Sequence, residues 1–129
     1  MYKYIVGGVL AFVLVGGGCQ STVKNAPVGS TTQEVKQVTQ VTIDVGGQPF
    51  SFDPKVITVQ KDDQVTINFT NKEGFHDWVL DEFNARTPQI NAGATASVTF
   101  VASKVGEFEY YCSVGDHRAR GMVGKLIVK

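Results

Sequence analysis

Between Gln64 and Asn71 the chain alternates without a break: Val65, Ile67 and Phe69 are apolar, and Thr66, Asn68 and Thr70 are polar. A period of two sends successive side chains to opposite faces, so this stretch can bury one side as a β-strand but cannot form the stripe of an amphipathic helix. The same device recurs in 95–101 with Ala96, Val98 and Phe100, and at the end of the chain with Leu126 and Val128 between Lys125, Ile127 and Lys129. Gly46-Gly47, Lys61-Asp62-Asp63, Lys72-Glu73-Gly74, Ala92-Gly93 and Val105-Gly106 supply turn chemistry between the runs. The spacing predicts an all-β domain over 38–129, a single Greek-key β-sandwich of roughly seven or eight short strands. No stretch has convincing helical periodicity; 82–91, with Pro88, reads as a loop or a short helical turn.

The chain has 129 residues, room for one compact domain and a short leader but not for two ordinary domains. One domain with one site reads as a monomer. Twelve basic side chains balance twelve acidic ones, and no run of either sign offers a footprint for nucleic acid. Ahead of the domain, 1–18 has the layout of an export signal: Lys3, an apolar run over 4–15, then Gly16, Gly17 and Gly18 before Cys19. That run falls short of the roughly 20 residues a membrane-crossing helix needs, which favours cleavage over a permanent span. The small residues followed by Cys19, Gln20 and Ser21 resemble the processing site of bacterial lipoproteins, although Gly16 stands where that family usually has Leu. The resemblance implies a lipid anchor at Cys19 and a domain tethered on the outer side of the cell membrane or in the periplasm. An uncleaved anchor and a plainly secreted protein are the alternatives. Residues 19–37, rich in Ser, Thr, Gln, Val and Lys without periodicity, read as a flexible linker. A coil of that length reaches about 20 to 25 Å.

Only two cysteines, Cys19 and Cys112, and two histidines, His76 and His117, are available for a metal site. Parity places His76 with Trp78 and Leu80, Cys112 with Phe108 and Tyr110, and Met122 with Leu126 and Val128, each on the apolar face of its run. Any one of the four candidates alone could be an ordinary core residue. Together, Cys112, His117 and Met122 stand as Cys-x4-His-x4-Met on one loop between two strands, with Gly115 and Gly121 to let it wrap around a point. Two imidazoles, a thiolate and a weak axial thioether form the ligand set of a blue-copper site. A disulfide between Cys19 and Cys112 is the competing use of the thiols, but it would drag the leader onto the core.

The segments around these residues resemble the cupredoxins, plastocyanin-like members above all. The likeness rests on Gly106-Glu107-Phe108-Glu109-Tyr110-Tyr111-Cys112-Ser113, on His117, on the run from Gly121 to Val128, and on Gly74-Phe75-His76 before a strand. Phe52, Pro54 and 56–63 resemble the family's earlier strands, so the likeness covers 41–129. It implies one copper held by His76, Cys112, His117 and Met122, cycling between Cu(I) and Cu(II), and an electron carrier that leaves substrates chemically unchanged. It also implies an electron outlet at the edge of His117 and a dry shell from Phe75, Trp78, Phe108 and Tyr110. Three departures stand out. Four residues separate Cys112 from His117 where plastocyanins have two; Phe75 replaces a proline; and Asp77 replaces the usual asparagine, in a place to accept hydrogen bonds from Ser113.

A copper chaperone or storage protein is the main functional alternative, and it would keep an open, exchangeable site. A binuclear copper centre would need a second loop cysteine. Zinc is excluded less firmly, since it would accept two histidines and a cysteine, although the thioether of Met122 is a poor fourth zinc ligand, and a metal-free interaction sandwich would have no use for the convergence. The redox partners are unnamed by the sequence. Arg118 and Arg120, beside His117, predict a partner with an acidic docking surface. The leader yields its own test. Full-length protein made in a bacterial host should partition with membranes, and Cys19→Ala should leave the domain in the soluble fraction or uncleaved. Mass spectrometry of the mature N-terminus decides the matter, and an intact leader on the wild-type protein would replace the lipid anchor with an uncleaved one.

Overall fold

A computed structural model describes residues 38–129; the segments assigned above to a leader and a linker, Cys19 included, lie outside the described residues. Eleven β-segments follow in order: β1 (Gln40–Gln48), β2 (Ser51–Asp53), β3 (Val56–Val59), β4 (Gln64–Asn71), β5 (Phe75–His76), β6 (Val79–Leu80), β7 (Ala85–Arg86), β8 (Ile90–Asn91), β9 (Thr95–Val101), β10 (Gly106–Tyr111) and β11 (Val123–Val128). One 3₁₀ turn, Asp81–Phe83, opens the stretch read as a loop or short helical turn, and two short strands, β7 and β8, also fall within it. The segments outnumber the anticipated strands because several are two-residue pieces.

They assemble into two main sheets, ordered β2-β1-β4-β9 and β3-β11-β10-β6-β7, with β5 and β8 paired separately. Both sheets are mixed: β1 runs parallel to β4 and β3 parallel to β11, while the remaining neighbours are antiparallel. The architecture is the sandwich that alternation implied. Val65, Ile67 and Phe69 of β4 are fully buried, and Phe100, Leu126 and Val128 join them in the core. On the opposite, outer face of β4, Thr66 bonds Thr99, Asn68 bonds both Asp44 and Ser97, and Thr70 bonds Thr95. The polar half of the alternation is therefore satisfied across strands rather than left to water alone.

Aromatic rings stitch the layers together. From Phe83 the contacts pass to Phe100, Trp78, Tyr110, Phe52 and Phe69, with centroid separations between 5.0 and 6.2 Å among the aromatic pairs of the core. Edge and offset geometries of this kind add to the burial of large rings. Trp78 itself is fully buried, and the backbone on either side of it is fixed by Thr87, whose hydroxyl accepts from Trp78 N–H and whose own N–H donates to the Trp78 carbonyl.

Gly46-Gly47 is not the turn its composition suggested. Both glycines lie inside β1, paired with Asp53 and Phe52 on one side and Thr70 and Asn71 on the other. The ring of Phe69 occupies the space a Gly47 Cβ would need, at 2.6 Å, so close packing rather than chain reversal requires glycine there. The reversal comes two residues later, at Pro49-Phe50, between the paired Gln48 and Ser51. Gly124 answers to a similar constraint: a Cβ would stand 2.1 Å from the Tyr110 ring, whose hydroxyl is anchored to the Pro54 carbonyl. Tyr110 cannot swing aside without losing that bond. Gly124→Ala should consequently destabilise the domain by about 3 kcal/mol, an overpacking penalty, read as a lower urea midpoint with an unchanged m-value. A midpoint equal to wild type would show that Tyr110 has a second well-packed position.

Candidate metal centre

The site is assembled from one sheet end and one loop. Lys72, Glu73 and Gly74 turn the chain from β4 into β5, and buried Asn71 holds that turn: its side-chain amide donates to the carbonyls of Gly74 at 3.0 Å and Ile90 at 2.8 Å, and its oxygen accepts from Glu73 N–H. His76 is thus delivered on a short strand pinned against Ile90. Asn71 went unnoticed in the sequence because it looks like any strand-end asparagine.

Cys112 leaves β10 and Met122 enters β11, so the β10–β11 pairing brings the two ends of the loop together. Cys112 N–H donates to the Met122 carbonyl at 3.1 Å, and Met122 N–H donates to the His117 carbonyl at 2.9 Å. Between them the loop folds on itself: His117 N–H reaches the Val114 carbonyl, Arg120 N–H that of Asp116, and Gly121 N–H that of Arg118. Asp77, buried beside His76, accepts from both the N–H and the hydroxyl of Ser113. The cross-link anticipated between Asp77 and the loop is present, with a carboxylate in the role.

Three of the four candidates converge. His76 Nδ1 and His117 Nδ1 stand 3.1 Å apart, and Cys112 Sγ lies 3.7 Å from the first and 3.5 Å from the second. The point equidistant from the three atoms is about 2 Å from each, the length of a first-row metal bond to imidazole. Met122, the fourth candidate, is fully buried, joined to the other two loop residues through its backbone, with its side chain running toward Gly47. The donor set fits a soft, low-coordinate metal ion.

Burial governs the protonation of these groups. Desolvation, followed by the charge of His117, lowers the pKa of His76, which favours the neutral imidazole that ligation needs. Desolvation also raises the pKa of Cys112, so a metal must displace the thiol proton to claim the sulfur. His76 turns Nδ1 toward His117 and Cys112, while its Nε2 is buried beside the turn at Gly74. Among the described residues, Cys112 is a free buried thiol.

The surrounding wall differs from the one expected. Trp78 and Tyr110 are core residues, but Phe75 is 41% exposed, and Phe108 packs on Phe83 four residues down β10 from Cys112. Strand direction explains both: Phe75 has the parity opposite to His76, and Phe108 shares the Cys112 face but lies far along it. Phe50 stands in their place, its ring perpendicular to that of His117, with centroids 5.3 Å apart and an interplanar angle of 88°. Neither loop arginine is a free charge on a stalk. Arg118 pairs with Glu109 and lies over the Tyr111 ring, whereas Arg120 sits 3.6 Å above Phe50 and has no carboxylate partner among the described residues.

Comparison with known proteins agrees with this construction. Over 90 residues the chain is 41% identical to the chloroplastic plastocyanin of Chlamydomonas reinhardtii, which covers 60% of this chain and 58% of that one, so it spans little more than half of that relative. It is 31% identical over 121 residues to auracyanin-A of Chloroflexus aurantiacus, covering 68% of this chain and 74% of that one. The solved structure of auracyanin A, described as a "blue" copper protein of that photosynthetic bacterium, matches with a TM-score of 0.63 at 28% identity over 70% of this chain and 99% of its own. The family of cupredoxin-like domains matches residues 10–128. The chain belongs to the cupredoxin-like family.

Proposed function

We propose that the protein is a mononuclear blue-copper electron carrier, exchanging single electrons between redox partners outside the cytoplasm, with His76, Cys112, His117 and Met122 as the ligands. The observation that carries this reading is the inward convergence of two imidazole nitrogens and one thiol sulfur on a single buried point. Similarity to plastocyanin and auracyanin supports it. Bound copper would supply a one-electron couple between Cu(I) and Cu(II). The chain's part is to hold the donors still: two backbone bonds close the loop, Asp77 clamps Ser113, and Asn71 fixes the turn before His76. Donors that cannot rearrange give a small reorganisation cost, the property an electron carrier needs and an enzyme with a substrate pocket does not.

A copper chaperone or store must release its ion, which calls for accessible ligands. Here Cys112 and Met122 are 0% exposed and His76 is 2% exposed, which favours the carrier. His117, partly exposed, is the proposed electron outlet. A lipid anchor at Cys19 would hold such a carrier at the membrane surface. We also assign an acidic docking surface to the partner, with Arg120 supplying the charge nearest the outlet, since Glu109 offsets Arg118.

Cys112→Ser should abolish the intense visible band of the copper-loaded protein, because a hydroxyl cannot replace the thiolate donor; retained colour would sink the ligand assignment. In the same series, Met122→Leu should keep the colour and raise the reduction potential, since a thioether favours Cu(II). The docking assignment is tested separately by stopped-flow kinetics. Electron-transfer rates to an acidic acceptor should fall as salt shortens the Debye length below about 8 Å, and a salt-independent rate would mean apolar docking around Phe75.

A further inference from the structure

Phe50 occupies a position that suits it poorly. It is the second residue of the two-residue turn between β1 and β2, with φ of 58°, a left-handed conformation that glycine adopts freely and a bulky side chain does not. Strain of this kind is retained where the side chain is needed in that place. Besides packing against the edge of the core, the ring makes two contacts with the ligand loop. It lies perpendicular to the His117 ring, centroids 5.3 Å apart at 88°, and the Arg120 guanidinium carbon lies 3.6 Å from its centroid. A cation over a ring and a second ring packed perpendicular to it are both favourable to an aromatic quadrupole.

We propose that Phe50, held in place by Arg120, is a positioning residue for His117: it fixes the plane of the one ligand ring that reaches the surface. The other three ligands need no such device. His76 is locked by β5 and the Asn71 turn, and Cys112 and Met122 are buried at the strand ends. His117 lies mid-loop, held through its backbone by Val114 and Met122, with its ring partly exposed. The β1–β2 turn thus reaches across to the ligand loop and supplies the missing wall, while Arg120, three residues after His117, closes the contact from the loop's own side. The cation and the ring it holds act in series, so neither should be sufficient alone.

The inference rests on His117 being a copper ligand, and the wild-type protein separates the two ideas. A wild type that takes up copper without colour would remove the site assignment, whereas a coloured wild type with unaffected variants would remove only the positioning role. Copper-loaded wild type, Phe50→Leu, Arg120→Gln and the double variant are to be compared for the rate of copper transfer to a competing chelator and, in the diamagnetic Cu(I) form, for the NMR shifts of the His117 ring protons. Each single variant should release copper at least about threefold faster, the scale of one aromatic or cation–π contact, and shift the His117 signals while leaving those of His76 in place. The double variant should release it no faster than Phe50→Leu alone, because Arg120 acts through the ring. If Phe50→Leu fails to accumulate, Phe50→Gly, which relieves the backbone, takes its place with the same expectation. Unchanged release or unchanged His117 shifts in either single variant, or rate effects that multiply in the double variant, would overturn the proposal. So would a lowered unfolding midpoint of metal-free Phe50→Leu with wild-type release kinetics, which would make Phe50 a stability residue only.

Discussion

Two backbone hydrogen bonds set the terms for the rest of the site: Cys112 N–H to the Met122 carbonyl, and Met122 N–H to the His117 carbonyl. They turn the eleven-residue excursion 112–122 into a closed ring whose ends are already fixed by the β10–β11 ladder. Loop closure is entropically costly, and here the ladder bears that cost before the loop adopts any particular shape. Once the ring is shut, Cys112 and Met122 have little freedom, and Asp77 can reach Ser113 from the other sheet end. The two hydrogen bonds from Ser113 to Asp77, with the β6–β10 pairing beside them, then join the segment bearing His76 to the segment bearing the other three.

Polar donors in a dry place weaken a fold unless something binds them. The cluster of His76, His117 and Cys112 crowds three such atoms together, with the thiol pushed toward its protonated form. Around it the domain is compensated generously: a stack of aromatic rings across both sheets, a threonine hydroxyl holding both sides of Trp78, and an outer face of mutually bonded hydroxyls and amides. These contacts lie outside the cluster of His76, His117 and Cys112, so the sandwich does not rely on that cluster for its packing.

Much of this was legible in the residues. Alternation sorted Val65, Ile67 and Phe69 from Thr66, Asn68 and Thr70, and the parity of His76, Cys112 and Met122 aimed them at the core, because a strand has only two faces. What escaped was everything that depends on approach across the chain. Gly46-Gly47 has the composition of a turn, and only the ring of Phe69 arriving from β4 shows why it is strand. Phe50 could not be connected to His117 from 67 positions away in sequence. Arg118 and Arg120 look equivalent as letters, and their difference lies in which one finds a carboxylate on β10. A left-handed phenylalanine is likewise invisible until the backbone is traced.

The direction of β1 separates two features of the described domain. Its nine residues start at Gln40 and finish at Gln48, beside the turn that touches His117, and Gly47 lies against the methyl of Met122. At about 3.3 Å per residue, the Gln40 end of β1 and the candidate ligand cluster lie at opposite ends of that strand. Substitutions at the exposed first residues of β1 are thereby separated from the candidate metal centre by nearly the full length of the strand.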